Sequence, residues 1–123
     1  MRYLWAVLAA AILVAGILAV QGARRQTEQT AAEVDVEAYD YRFSPETIQV
    51  RAGSTVTVRL RNQGVEHHNW AAPELNVATP DIPSGSEAVI EFTPGRPGTY
   101  EIVCTVPGHR QLGMVGKLVV TAP

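Results

Sequence analysis

The sequence predicts an all-β domain, an antiparallel β-sandwich, preceded by an N-terminal hydrophobic helix. Three observations predict it. Residues 3–20 form a run of 18 positions without a charge. From Val34 onward, short stretches alternate apolar and polar residues with a period of two. Turn residues, chiefly proline, glycine and asparagine, separate those stretches.

The apolar run follows Met1 and Arg2. As a helix, its 18 residues would reach roughly 27 Å, about the thickness of a hydrocarbon core. Residues 1–22 therefore read as a membrane anchor, with the membrane met through residues 3–20, or as a signal peptide cleaved after Gly22. No cysteine lies there to carry a lipid. Both readings place the remainder outside the cytoplasm, as a tethered domain or as a secreted or periplasmic one. Residues 23–32 are polar and free of proline, and read as a linker. Residues 33–123 read as the domain.

The strand at residues 55–61 is the clearest. Val56, Val58 and Leu60 face one side, while Thr57, Arg59 and Arg61 face the other. Shorter alternations fall at 34–37, 47–50, 88–92, 99–104 and 117–121. Turn signals lie at Ser44-Pro45, Ala52-Gly53-Ser54, Asn62-Gln63-Gly64, Pro83-Ser84-Gly85, residues 94–98 and Pro107-Gly108. Six or more short strands at this spacing predict a sandwich. No segment after residue 30 has helical periodicity.

Composition narrows the function. The chain has 123 residues and one cysteine, so a disulfide framework and a multi-domain enzyme are both excluded. From Val34 to the end there are seven basic and ten acidic residues, a balance of −3. No basic patch suggests nucleic acid.

The chemistry lies in Cys104, His109 and Met114, spaced C-x₄-H-x₄-M. On a strand, Tyr100, Ile102 and Cys104 point inward together. Pro107-Gly108 then turns the chain so that His109 faces back toward the sulfur, and Gly113 bends it again before Met114. A fourth ligand comes from His67 or His68, beyond the 55–61 strand. Two imidazoles, one thiolate and a weak thioether suit a copper electron-transfer site. Zinc accepts cysteine and histidine, but a thioether is not a usual zinc ligand. Cysteine–histidine nucleophilic catalysis lacks an evident cleft and an orienting partner.

These residues resemble the cupredoxins, the blue copper proteins of the plastocyanin and azurin type. The resemblance covers roughly residues 34–121. It includes Phe43-Ser44-Pro45, Ala52-Gly53-Ser54-Thr55-Val56, Asn62, His68-Asn69-Trp70, Gly98-Thr99-Tyr100, the C-x₄-H-x₄-M segment and residues 116–120. Within the family the chain looks most like the auracyanins. The resemblance implies a Greek-key cupredoxin-like sandwich holding one type 1 copper ion. It implies His68, rather than His67, as the first ligand, with Cys104, His109 and Met114 completing the set. Asn69 would tie the two ligand loops together beside the metal. Redox proteins would dock at the His109 edge, and the protein would be monomeric. Arg110 would steer toward an acidic partner. Two departures stand out. Val103 occupies the place of the aromatic neighbour of the copper cysteine in plastocyanins. Only 35 residues separate His68 from Cys104, too few for the helical flap of azurin.

The sequence thus predicts a one-electron carrier, not an enzyme, shuttling between extracytoplasmic or membrane redox partners by Cu(I)/Cu(II) cycling. The alternative is a copper chaperone or delivery protein with an exchangeable site. The methionine- or histidine-rich open site usual for that role is absent, since the two methionines are Met1 and Met114.

Overall fold

The computed structural model describes residues 31–123. The expected hydrophobic helix (1–22) and most of the expected linker lie outside the described residues. Among those residues, no helix is long and apolar enough to cross a membrane.

Among the described residues, nine strands form two sheets. They are β1 (Ala31–Tyr39), β2 (Arg42–Ser44), β3 (Thr47–Arg51), β4 (Thr55–Asn62), β5 (Ala71–Ala72), β6 (Val77–Ala78), β7 (Glu87–Phe92), β8 (Gly98–Val103) and β9 (Val115–Thr121). One sheet has the order β2-β1-β4-β7 and the other β3-β9-β8-β5-β6. All six strands expected from the sequence are present. Strand β1 opens at Ala31 and pairs Ala32 with Val56, so the end of the stretch read as linker is already sheet.

The sheets are mixed rather than purely antiparallel. Strands β1 and β4 run parallel, from Ala31 opposite Thr55 to Ala38 opposite Asn62. Strands β3 and β9 are also parallel, from Thr47 opposite Lys117 to Arg51 opposite Thr121. The cause is the path between β1 and β4. The chain leaves the first sheet, lays β3 against β9 in the second, and returns. A returning crossover restores strand direction, whereas a hairpin reverses it.

The alternation of β4 sets the core. Val56, Val58 and Leu60 are fully buried, and Arg59 and Arg61 face solvent. Val36 and Ala38 of β1, Ile48 and Val50 of β3, Ile102 of β8 and Leu118 and Val120 of β9 complete it. Trp70 is fully buried beside Phe92, with ring centroids 6.1 Å apart. Leu60→Ala is expected to lower the unfolding free energy by about 2–5 kcal/mol, because a rigid core collapses little around a cavity. Chemical denaturation reads it. A loss below about 1 kcal/mol would show that the site closes over.

Candidate metal centre

Two loops deliver the expected ligands. The first leaves β4 at Asn62, a buried amide that organises it. Asn62 Nδ2 donates to the carbonyls of Glu66 (2.7 Å) and Ile82 (3.0 Å). Its Oδ1 accepts the Gly64 N–H at 2.9 Å. His68 is then pinned by a two-way backbone pairing with Ile82, at 3.2 and 2.9 Å. His68, Asn69 and Trp70 are all buried, whereas His67 is exposed.

The second loop runs from Cys104 to Met114 and is closed on itself. The Cys104 N–H donates to the Met114 carbonyl, and the Met114 N–H to the His109 carbonyl, both at 3.1 Å. Gly108 (φ 86°) and Gly113 (φ 96°) sit in the left-handed region that such a path requires. Cys104 and Met114 are fully buried, and His109 is 5% exposed.

Asn69 joins the loops. Its Nδ2 donates to Thr105 Oγ1 and its Oδ1 accepts the Thr105 N–H, both at 2.7 Å. This is the bridging expected of it, made across 36 sequence positions.

The structure brings His68, Cys104 and His109 together. Their ligand atoms all lie within 4.8 Å of one another. Nδ1 of His68 is 3.9 Å and Nδ1 of His109 is 3.5 Å from Cys104 Sγ. Donors each about 2.0–2.3 Å from one ion, in a trigonal plane, stand roughly 3.7 Å apart. The donor set therefore fits a metal ion. Burial pushes the Cys104 thiol up, while backbone N–H groups of Asn69 and Val106 act in the opposite direction. Burial thus opposes ionisation of the thiol, and a bound cation would favour the thiolate.

Three further residues flank the cluster. Asp40 Oδ1 lies 2.6 Å from His68 Nε2. Glu66 Oε2 lies 2.8 Å from His109 Nε2. The Tyr41 ring stands edge-on to both imidazoles, with centroids 5.0 Å from His109 and 6.3 Å from His68. Sequence reasoning missed all three. Asp40 and Tyr41 sit in the β1–β2 turn, where an acid and an aromatic read as ordinary turn residues. The Val65 N–H first, then His68, hold the Asp40 carboxyl below the usual range.

Arg110 is bound at both terminal guanidinium nitrogens by Glu101, at 2.6 and 2.8 Å. Glu101 thus pairs the Arg110 charge within the domain. Between His68 and Cys104 the described chain forms only β5, a single 3₁₀ turn (Pro73–Leu75), β6, β7 and β8. A helical flap is absent from this stretch, as its length implied.

A sheet sandwich with two imidazoles and a thiol gathered between two loops defines the cupredoxins. The chain belongs to that family: the cupredoxin-like domain family matches residues 8–120. Auracyanin-A of Chloroflexus aurantiacus is 33% identical over 118 residues, covering 72% of this chain and 72% of its own. The copper-resistant cuproprotein CopI of Rubrivivax gelatinosus is 33% identical over 98 residues, covering 64% of this chain and 59% of its own. The solved structure of auracyanin A, described as a "blue" copper protein, matches with a TM-score of 0.64 at 25% identity. It covers 74% of this chain and 99% of that one. Family and donor set together identify the cofactor as copper.

Proposed function

We propose that this protein is a one-electron carrier with a mononuclear type 1 copper site. His68, Cys104 and His109 would hold the ion strongly, and Met114 would be a weak fourth ligand. The observation that carries the reading is the convergence of both Nδ1 atoms on Cys104 Sγ at 3.9 and 3.5 Å, with every member buried. Bound copper supplies the redox chemistry by alternating between Cu(II) and Cu(I). The chain supplies rigidity. Two hydrogen bonds between Asn69 and Thr105 and the internal bonds of the 104–114 loop hold the donors in one arrangement. Donors that cannot move need not rearrange when one electron arrives or leaves.

The fully buried Cys104 and Met114 leave no open position for a substrate, so the reading is of a carrier rather than an enzyme. Electrons pass at the His109 edge, beside the exposed Leu112, where redox partners dock briefly with the monomer. The domain works outside the cytoplasm, held at a membrane through residues 3–20 or freed by cleavage.

The likeness to CopI favours one rival, a copper-resistance role in which the metal is exchanged. Copper retention separates the two. The copper-loaded protein is expected to keep its metal against a mild chelator while passing one electron per copper to a soluble redox partner. Loss of copper within minutes, with slow electron exchange, would favour delivery.

A further inference from the structure

We infer that Asp40 and Glu66 are positioning residues of the copper centre. Their carboxylates hold Nε2 of His68 and of His109, turn both Nδ1 atoms to the metal, and bias it toward Cu(II). The inference rests on the copper reading above and concerns groups that are not themselves ligands.

The first cap is built into the fold. His68 is fully buried, and its Nε2–H donates to Asp40 Oδ1 at 2.6 Å. Asp40 is itself fixed: its two oxygens accept the N–H groups of Val65 (3.0 Å) and Glu66 (3.3 Å). The loop passes so close that a Cβ on Gly64 would collide with Asp40 Oδ1 and His68 Nε2. Glycine is the residue that leaves room for this pair.

The second cap grows from the first. The Glu66 main chain is tied at both ends, its N–H to Asp40 and its carbonyl to Asn62 Nδ2. Its carboxylate oxygen Oε2 lies 2.8 Å from His109 Nε2. The Tyr41 ring closes against both imidazoles. A continuous chain of contacts thus runs from His68 through Asp40, the 64–66 loop and Glu66 to His109.

The chemistry follows from proton count. A neutral imidazole carries one N–H, and an ionised carboxylate can only accept. A carboxylate on Nε2 therefore places the proton there and leaves the Nδ1 lone pair facing Cys104 Sγ. It also gives each ring partial anionic character and makes it a stronger donor. A stronger nitrogen donor favours the doubly charged ion over the singly charged one. Stability is not the issue: the side chain of Glu66 is half-exposed, and a surface ion pair contributes little to folding.

The test is the reduction potential of the copper-loaded full chain, beside its visible spectrum. Glu66→Gln keeps the side-chain shape and an acceptor oxygen but removes the charge. The blue band should persist and the Cu(I)-to-Cu(II) preference should rise about tenfold, an upward shift of roughly 59 mV for one electron. Asp40→Asn should shift it in the same direction. Glu101→Gln, which removes a carboxylate paired with Arg110 instead, should leave the potential in place. A blue Glu66→Gln protein with an unmoved potential overturns the inference while leaving the copper reading intact. An equal shift in Glu101→Gln also overturns it, because bulk charge would then suffice. If the variants fail to fold, nitrogen-15 NMR of the unsubstituted protein decides. Both rings should carry the proton on Nε2 in the metal-free and Cu(I) forms, and a proton on either Nδ1 overturns it. An unsubstituted protein that binds copper without a blue band overturns the copper reading and this inference together.

Discussion

Cys104→Ala is expected to abolish the blue absorption of the copper-loaded protein altogether. The band of a type 1 site is charge transfer from thiolate to Cu(II), and Cys104 is the chain's one cysteine. No other sulfur can replace it, since a thioether such as that of Met114 carries no negative charge to transfer. The fold should survive. Alanine leaves the Cys104 N–H bond to the Met114 carbonyl intact, and it relieves the site of a thiol whose ionisation burial opposes. Circular dichroism should therefore match the unsubstituted protein while visible absorption falls to background. Residual copper bound by the two imidazoles should be pale and weakly held. A Cys104→Ala protein that stayed blue would remove the sulfur from the site and the electron-carrier reading with it.

Met114→Gln is expected to keep both the copper and the blue band and to lower the reduction potential. Met114 is fully buried at the end of the loop that runs from Cys104 through His109, so its replacement would change the weak ligand and leave His68, Cys104 and His109 in place. A thioether is soft and favours Cu(I); an amide oxygen is harder and favours Cu(II). A tenfold change in preference corresponds to about 59 mV, and the shift should be at least that size and downward. Voltammetry reads it directly. It is opposite in sign to the shift expected for Glu66→Gln, so the two substitutions report on different faces of one centre. An unchanged potential would mean that Met114 does not meet the metal.

Much of this was legible in the sequence, for identifiable reasons. Strand β4 was legible because its alternation runs unbroken from Val56 to Arg61, and burial follows it residue by residue. The ligand loop was legible because thiol, imidazole and thioether recur at fixed spacing around turn-forming glycines. His68 could be preferred to His67 only through the family resemblance, and its full burial beside an exposed His67 agrees with that preference. The two-residue strands β5 and β6 were not legible, because two positions cannot show a period. Nor was the parallel pairing of β1 with β4, since alternation is the same in either direction. The start of β1 at Ala31 was hidden by two alanines, which carry no strand signal. Asp40, Tyr41 and Glu66 were invisible as site residues for a different reason. Their role depends on contacts such as Asp40 with His68, 28 positions apart, and no local pattern encodes those.

The central claim is that these residues hold redox-active copper on a thiolate. The most direct test is the visible spectrum of the protein loaded with Cu(II), then reduced with ascorbate and reoxidised. An intense blue band that bleaches on reduction and returns on reoxidation is the predicted result. A protein that binds copper yet shows no such band would contradict it.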